Sequence, residues 1–292
     1  MVTRRTTQRL FLLRPDEDLL RIFAYCLAEA ATRYDMQLIA WCVMSNHYHA
    51  IVHDPLGRLP AFIEHLHKML SKPINALRER WEGVWSSEET CVTLLATLDD
   101  VFEKVVYVLA NPMAAHLVDQ LSHWPGLHSL YHLDGRVTVH ERPRWFFKKD
   151  GKVMPVTADL RAVPPPGADD TWAAKVRAAV ERKEREYRVL RQEKGIRLLG
   201  RKGVLATDPF ASPAKEAMHR KLRPALACKD AARRAAELAL LKAFRVEYAR
   251  KLTQYIAAKT PEERHNVVFP AGTYRLRLLG VRCEPFELVR AA

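Results

Sequence analysis

A chain of 292 residues with 48% hydrophobic side chains has enough apolar material to bury a sizeable core, which excludes a disordered polymer. No apolar run approaches the roughly 18 residues needed to cross a bilayer, and Leu10 to Leu13 is too short for a signal-peptide core. Cys26, Cys42, Cys91, Cys228 and Cys283 include no CxxC pair, so neither a disulfide framework nor a zinc knuckle is indicated, and the chain reads as cytoplasmic. The net charge of +13 is unevenly placed. Residues 1–150 hold 17 Lys and Arg against 18 Asp and Glu, whereas residues 151–292 hold 30 against 16. A surface of that kind attracts polyanions by counterion release.

In chain order, Gln8 to Leu13 reads as a short strand ended by Pro15. The acidic run Asp16-Glu17-Asp18 suits a helix N-terminus, and apolar residues from Leu19 to Ala31 recur at helical spacing up to Tyr34. Met36 to Met44 is a β-favouring run; Ser45-Asn46 supplies a turn, and Asn46 to His53 forms a second strand. Phe62, Ile63, Leu66, Met69 and Leu70 mark a helix that Pro73 can kink before about Trp81. Thr90 to Leu95 is a further strand. Asp99-Asp100 then opens a helix expected to stop before Pro112.

This β-α-β-β-α-β-α order fits an α+β fold, a ferredoxin-like or RRM-like antiparallel sheet with helices on one face and the other face open for a site. The expected division is a catalytic domain over 1–120, a loop-rich connector over 121–167 and a basic, mainly helical region over 168–292. Within the last, Thr171 to Glu193 and Asp230 to Ala258 read as long helices and Thr273 to Val281 as a strand.

Met44-Ser45-Asn46-His47-Tyr48-His49 carries the first chemical signal. On a strand His47 and His49 project from one face, their Cα atoms about 6.6 Å apart, so both imidazoles can converge on one ion. Plain surface histidines share that spacing. Tyr107-Val108-Leu109-Ala110-Asn111-Pro112 carries the second: Tyr107 and Asn111 stand at i and i+4 on one helix face. A core tyrosine and a helix-ending asparagine would look the same. Taken together, two imidazoles and an amide oxygen leave positions open for phosphate oxygens and water, which suits Mg²⁺ or Mn²⁺. The ion would polarise a phosphodiester, and the phenol of Tyr107 would attack phosphorus and hold the strand covalently until a 3′-hydroxyl reseals it.

The block from Arg4 to Val118 resembles the REP-associated tyrosine transposases, relatives of the single-tyrosine insertion-sequence transposases of the HUH class. The resemblance rests on Arg4-Arg5-Thr6-Thr7-Gln8, on Met44-Ser45-Asn46-His47-Tyr48-His49, and on Tyr107 to Pro112 followed by Ala114-Ala115-His116-Leu117-Val118. It departs at Tyr48, where a bulky aliphatic is usual, and in the long basic tail, which compact members lack. What it implies is a divalent cation on His47, His49 and Asn111, Tyr107 as nucleophile, and a covalent 5′-phosphotyrosine intermediate. The implied partner is single-stranded or hairpin DNA at palindromic repeats, in a nucleoid-associated protein for which a homodimer stays open. Arg4, Arg5, Lys175, Arg182, Lys183, Arg185 and Arg188 are the expected DNA contacts, the tail residues through phosphate more than base. A domesticated DNA-binding protein that no longer cuts is the alternative.

Overall fold

The first strand, β1 (Val2–Arg5), lies several residues ahead of the expected one. Gln8 and Arg9 adopt left-handed φ values of 48° and 60°, so the chain turns where a strand was expected. Leu12 and Leu13 are buried there as loop, with Arg78 donating to the carbonyls of Leu12 and Arg14. This computed structural model describes residues 1–143, 154–214, 224–273, 276–277 and 279–285. Helix α1 (Glu17–Arg33) follows, N-capped by Asp16, whose carboxylate accepts from the Leu19 amide at 3.0 Å. Next come β2 (Gln37–Met44), β3 (His47–His53), α2 (Leu59–Leu77), β4 (Cys91–Val92), β5 (Leu94–Leu95) and α3 (Leu98–Ala114).

The fold is α+β. Four antiparallel strands lie in the order β2-β3-β1-β4, the arrangement expected of a ferredoxin-like sheet. Helices α1 and α2 cover one face, where Phe23, Leu27, Phe62 and Leu66 meet Trp41, Val43 and Tyr48. The opposite face is not open over β2 and β3. Val105, Val108, Leu109 and Met113 of α3 pack there on Ile39, Ala40, Cys42 and Met44. A bulge between Leu38 and Ala40 lets two successive residues, Ile39 and Ala40, serve that second core.

Helix α3 runs two residues past Pro112. A proline in the last turn forfeits one hydrogen bond at an end that already has spare carbonyls, so it is tolerated. The true stop is a Schellman-type turn: His116 at φ 55° donates to Met113 and Leu117 donates to Pro112.

The described residues of 121–167 are loop-rich but packed. They include the hairpin β6 (Thr138–Glu141) and β7 (Thr157–Leu160), which leans on α1 through Ala158 and Leu160. Leu127, Ser129 and Val163 pair with the backbone of β2 and close that sheet edge. Gly126 is needed there, because a Cβ would stand 2.6 Å from the Val43 carbonyl.

Packing continues across residue 168. Helix α4 (Trp172–Glu193) lays Trp172, Val176 and Val180 against the outer side of α3. Beyond it come α5 (Gly200–Ala206), β8 (Leu226–Ala227) paired in parallel with β5, α6 (Ala231–Ala257) and α7 (Pro261–Asn266). The strand expected over 273–281 falls partly outside the described residues; Leu276 and Arg277 lie in a helical turn. Among the described residues no helix is long and apolar enough to cross a membrane.

Candidate active site

Strand alternation puts His47 and His49 on the α3 face of β3, and Tyr48 on the α1 and α2 face, where it is buried. The two imidazole centroids are 4.9 Å apart. From α3, the ring of Tyr107 meets His49 edge to face at 5.7 Å between centroids. The three side chains come from elements nearly 60 residues apart, yet they form one cluster. Tyr107 is 49% exposed, so its phenol is open to a substrate.

Each imidazole is held by its Nδ1. The His47 Nδ1 lies 2.7 Å from the Asn46 Oδ1, and Asn46 Nδ2 donates to the Arg9 carbonyl at 3.3 Å. That second bond fixes which end of the amide is oxygen, so His47 must carry its proton on Nδ1. His49 Nδ1 lies 2.8 Å from Thr3 Oγ1. The His47 Nε2 lone pair is thereby free for a ligand, and His49 presents its own Nε2 when the Thr3 hydroxyl accepts from Nδ1–H. Neither ring charges readily. Burial, then the neighbouring His49, Arg5 and Arg9, holds His47 well below the usual imidazole range. Burial and then Arg5 push His49 down to about 4. Both are therefore neutral at pH 7, the form that binds metals.

Asn111 stands one turn beyond Tyr107, its Nδ2 donating to the Tyr107 carbonyl at 3.1 Å, which leaves Oδ1 without a donor among the described residues. Among the described residues, no group of three or more His, Cys, Asp or Glu side chains is placed to hold an ion. The donor set at this site is two imidazoles and at most an amide.

The expected phosphate contacts separate. Arg5 pairs across the ladder with His47 and so shares the histidine face, exposed. Arg4 pairs with Tyr48 on the other face and donates to the carbonyls of Ser86 and Glu88. On α4, Arg182 and Lys183 line a groove that also contains Tyr107. Lys175 is paired with Asp169 at 2.6 Å, and Arg188 with Asp119 at 3.0 Å. Arg185 is exposed.

Three neighbours of the cluster were not expected from the sequence. Thr3 faces His49 across the β1–β3 register, a relation hidden while the first strand was placed at 8–13. Lys104 sets its ammonium 5.4 Å from the Tyr107 ring centre, and Tyr187 of α4 lines the same groove. Lys104 was findable, being one helical turn before Tyr107. His65 and His67 of α2 are both engaged: His65 with Glu29 at 2.7 Å, His67 with the Tyr48 hydroxyl at 2.8 Å. Tyr25, unlike Tyr107, is buried, donating to the Pro155 carbonyl, with its phenol pushed up to about 12 by burial first. Tyr274 lies outside the described residues.

No family model matches the chain, and no curated protein matches it either. Among solved structures, a REP-associated tyrosine transposase bound to a REP hairpin is similar at 16% identity, over 44% of this chain and 74% of that one, with a TM-score of 0.33. So loose an overlap leaves the functional case to the chain's own residues.

Proposed function

We propose that this chain is a metal-dependent DNA nickase and religase of the single-tyrosine HUH type, acting on single-stranded or hairpin DNA through a 5′-phosphotyrosine intermediate. The observation that carries the reading is the convergence of His47, His49 and Tyr107, with two neutral rings whose Nδ1 atoms are already engaged. A structural histidine pair needs no exposed phenol beside it.

His47 and His49 through Nε2, and Asn111 through Oδ1, would hold a Mg²⁺ or Mn²⁺ ion. When bound, such an ion supplies Lewis-acid polarisation of a phosphodiester. Asn46 keeps the His47 ring in the required tautomer, and Asn46 and Thr3 orient the two rings. The Tyr107 oxygen attacks phosphorus, the bond to the 3′-oxygen breaks, and the phenolic proton is lost as the 3′-hydroxyl is released. Because the new phosphotyrosine bond conserves the energy of the old one, a 3′-hydroxyl can reverse the step and regenerate the phenol. Arg5, on the histidine face, and Lys104, beside the phenol, bring positive charge to where the phosphate would lie.

The test is cleavage of end-labelled hairpin DNA with a panel of divalent ions. Strand cleavage with Mg²⁺ or Mn²⁺ is expected, abolished by a chelator and by His47→Ala or His49→Ala. Binding without cleavage under every ion would turn the reading to a DNA-binding protein, and cleavage by the double histidine variant would remove the metal from the account.

A further inference from the structure

Helices α3 and α4 part at the level of Tyr107 to leave a groove of about 530 Å³. Its floor is small and apolar, made by Val106, Ala110 and Ala179, and Phe102 and Tyr187 supply aromatic surface. Most of the charge there is already spoken for. Lys183 is paired with Glu186 at 2.6 Å, and Glu103 is paired with Lys229 of the tail. Arg182 is exposed and forms no ion pair within the described structure. An apolar slot with an aromatic wall and an uncommitted guanidinium complements a flat heteroaromatic ring joined to an anion.

We infer that this groove is a subsite for one unpaired nucleotide of a single-stranded DNA arm, its base stacked on Tyr187 and its phosphate on Arg182. The inference rests on the nickase reading for one point, that the neighbouring phosphodiester is the one presented to Tyr107. The occupant follows from continuity with the candidate active site, since Tyr107 lines both, and from the sign of the free charge. In a duplex each base already has its faces covered by its neighbours, so only an unpaired or extruded base can enter such a slot. Aromatic stacking of this kind tolerates any base. The groove would thus fix the distance of the cut from the hairpin without reading sequence.

The experiment uses the full chain carrying Tyr107→Phe, so that no strand is cut, and a hairpin DNA with an unpaired thymidine arm. One thymidine at a time is replaced by an abasic site, and affinity is read by fluorescence anisotropy. At one arm position the abasic site is expected to weaken binding about five- to a hundred-fold. Tyr187→Ala should cost a similar factor, and the two changes together no more than either alone. Tyr187→Phe should restore the coupling, and Arg182→Ala should weaken every arm alike. Equal binding of all arms by the parent and by Tyr187→Ala overturns the subsite, as do losses that simply multiply at every position. No cleavage enters these readouts. Intact coupling in a protein whose wild type never cuts would overturn the nickase alone, and cutting without coupling would overturn the subsite alone.

Discussion

Helices α4 and α6 are both long, both basic and both in the half of the chain that carries the excess charge, yet they are built differently. Trp172, Val176, Ala179 and Val180 of α4 are buried against α3, and Arg188 and Arg191 both reach Asp119 at its foot. Helix α6 buries no residue over its 27 positions and leaves Leu240, Val246 and Ile256 in solvent. Composition made them equivalent; packing does not. Part of what looked like a DNA-holding charge is spent on docking α4 to the candidate active site. Charge that belongs to a phosphate has to be sought among residues with no ion pair among the described residues, such as Arg182.

The sharpest way to break that comparison is truncation. Ending the chain before residue 168 removes Trp172 from Phe102 and strips α4 from the outer side of α3, and cooperative thermal unfolding should be lost. Ending it at residue 230 should leave the melting transition nearly in place. The shorter chain should still bind hairpin DNA, with a smaller slope of log affinity against log salt, because the cations of α6 no longer displace counterions. An unchanged slope would show that α6 touches no DNA.

Single substitutions come next. Trp172→Ala should cost about 3–5 kcal/mol in chemical denaturation, whereas Leu240→Ala, 65% exposed, should fall within about 0.5 kcal/mol of the parent. Similar losses at both sites would erase the distinction between the helices.

Acid should act on the packed part alone. His49 is held at about 4, His67 at about 3 and His132 at about 4, in each case chiefly by burial, against an ordinary value near 6.5. Below 6.5 the unfolded chain takes up protons that the folded rings refuse. The stability these rings contribute is therefore complete above that pH and drains away as pH falls toward 4. Denaturation midpoints at pH 7 and pH 5 should differ in that sense, equally for the full chain and the one ended at residue 230. The smallest effect belongs to Asp119→Asn. It loosens two partly exposed ion pairs and should cost about 1 kcal/mol or less, measurable only beside the parent under the same salt.

Much of the fold was readable because its signals are local. The periodicity from Leu19, the turn at Ser45-Asn46 and the alternation through His47-Tyr48-His49 each act within a few residues. The edges that misled were tertiary. Leu10 to Leu13 has strand composition but is loop with Leu12 and Leu13 buried, where Arg78 donates to the carbonyls of Leu12 and Arg14 across more than 60 residues of chain. Pro112 reads as a stop, yet the helix ends where His116 adopts a left-handed φ, a conformation that no composition rule assigns to histidine. At the site, the spacing of His47, His49 and Tyr107 was legible as a motif. The placement of Thr3 and Tyr187 beside it was not, since one depends on strand register and the other on how the tail docks.

Which atom carries the DNA is the central claim, and it can be read directly. The wild-type chain is incubated with a hairpin substrate and Mg²⁺ or Mn²⁺, denatured and digested, and the DNA-linked peptide is identified by mass spectrometry. The account predicts a phosphodiester on Tyr107, lost in Tyr107→Phe. A linkage to Tyr187, which shares the groove, or no linkage despite cleaved DNA, would contradict it.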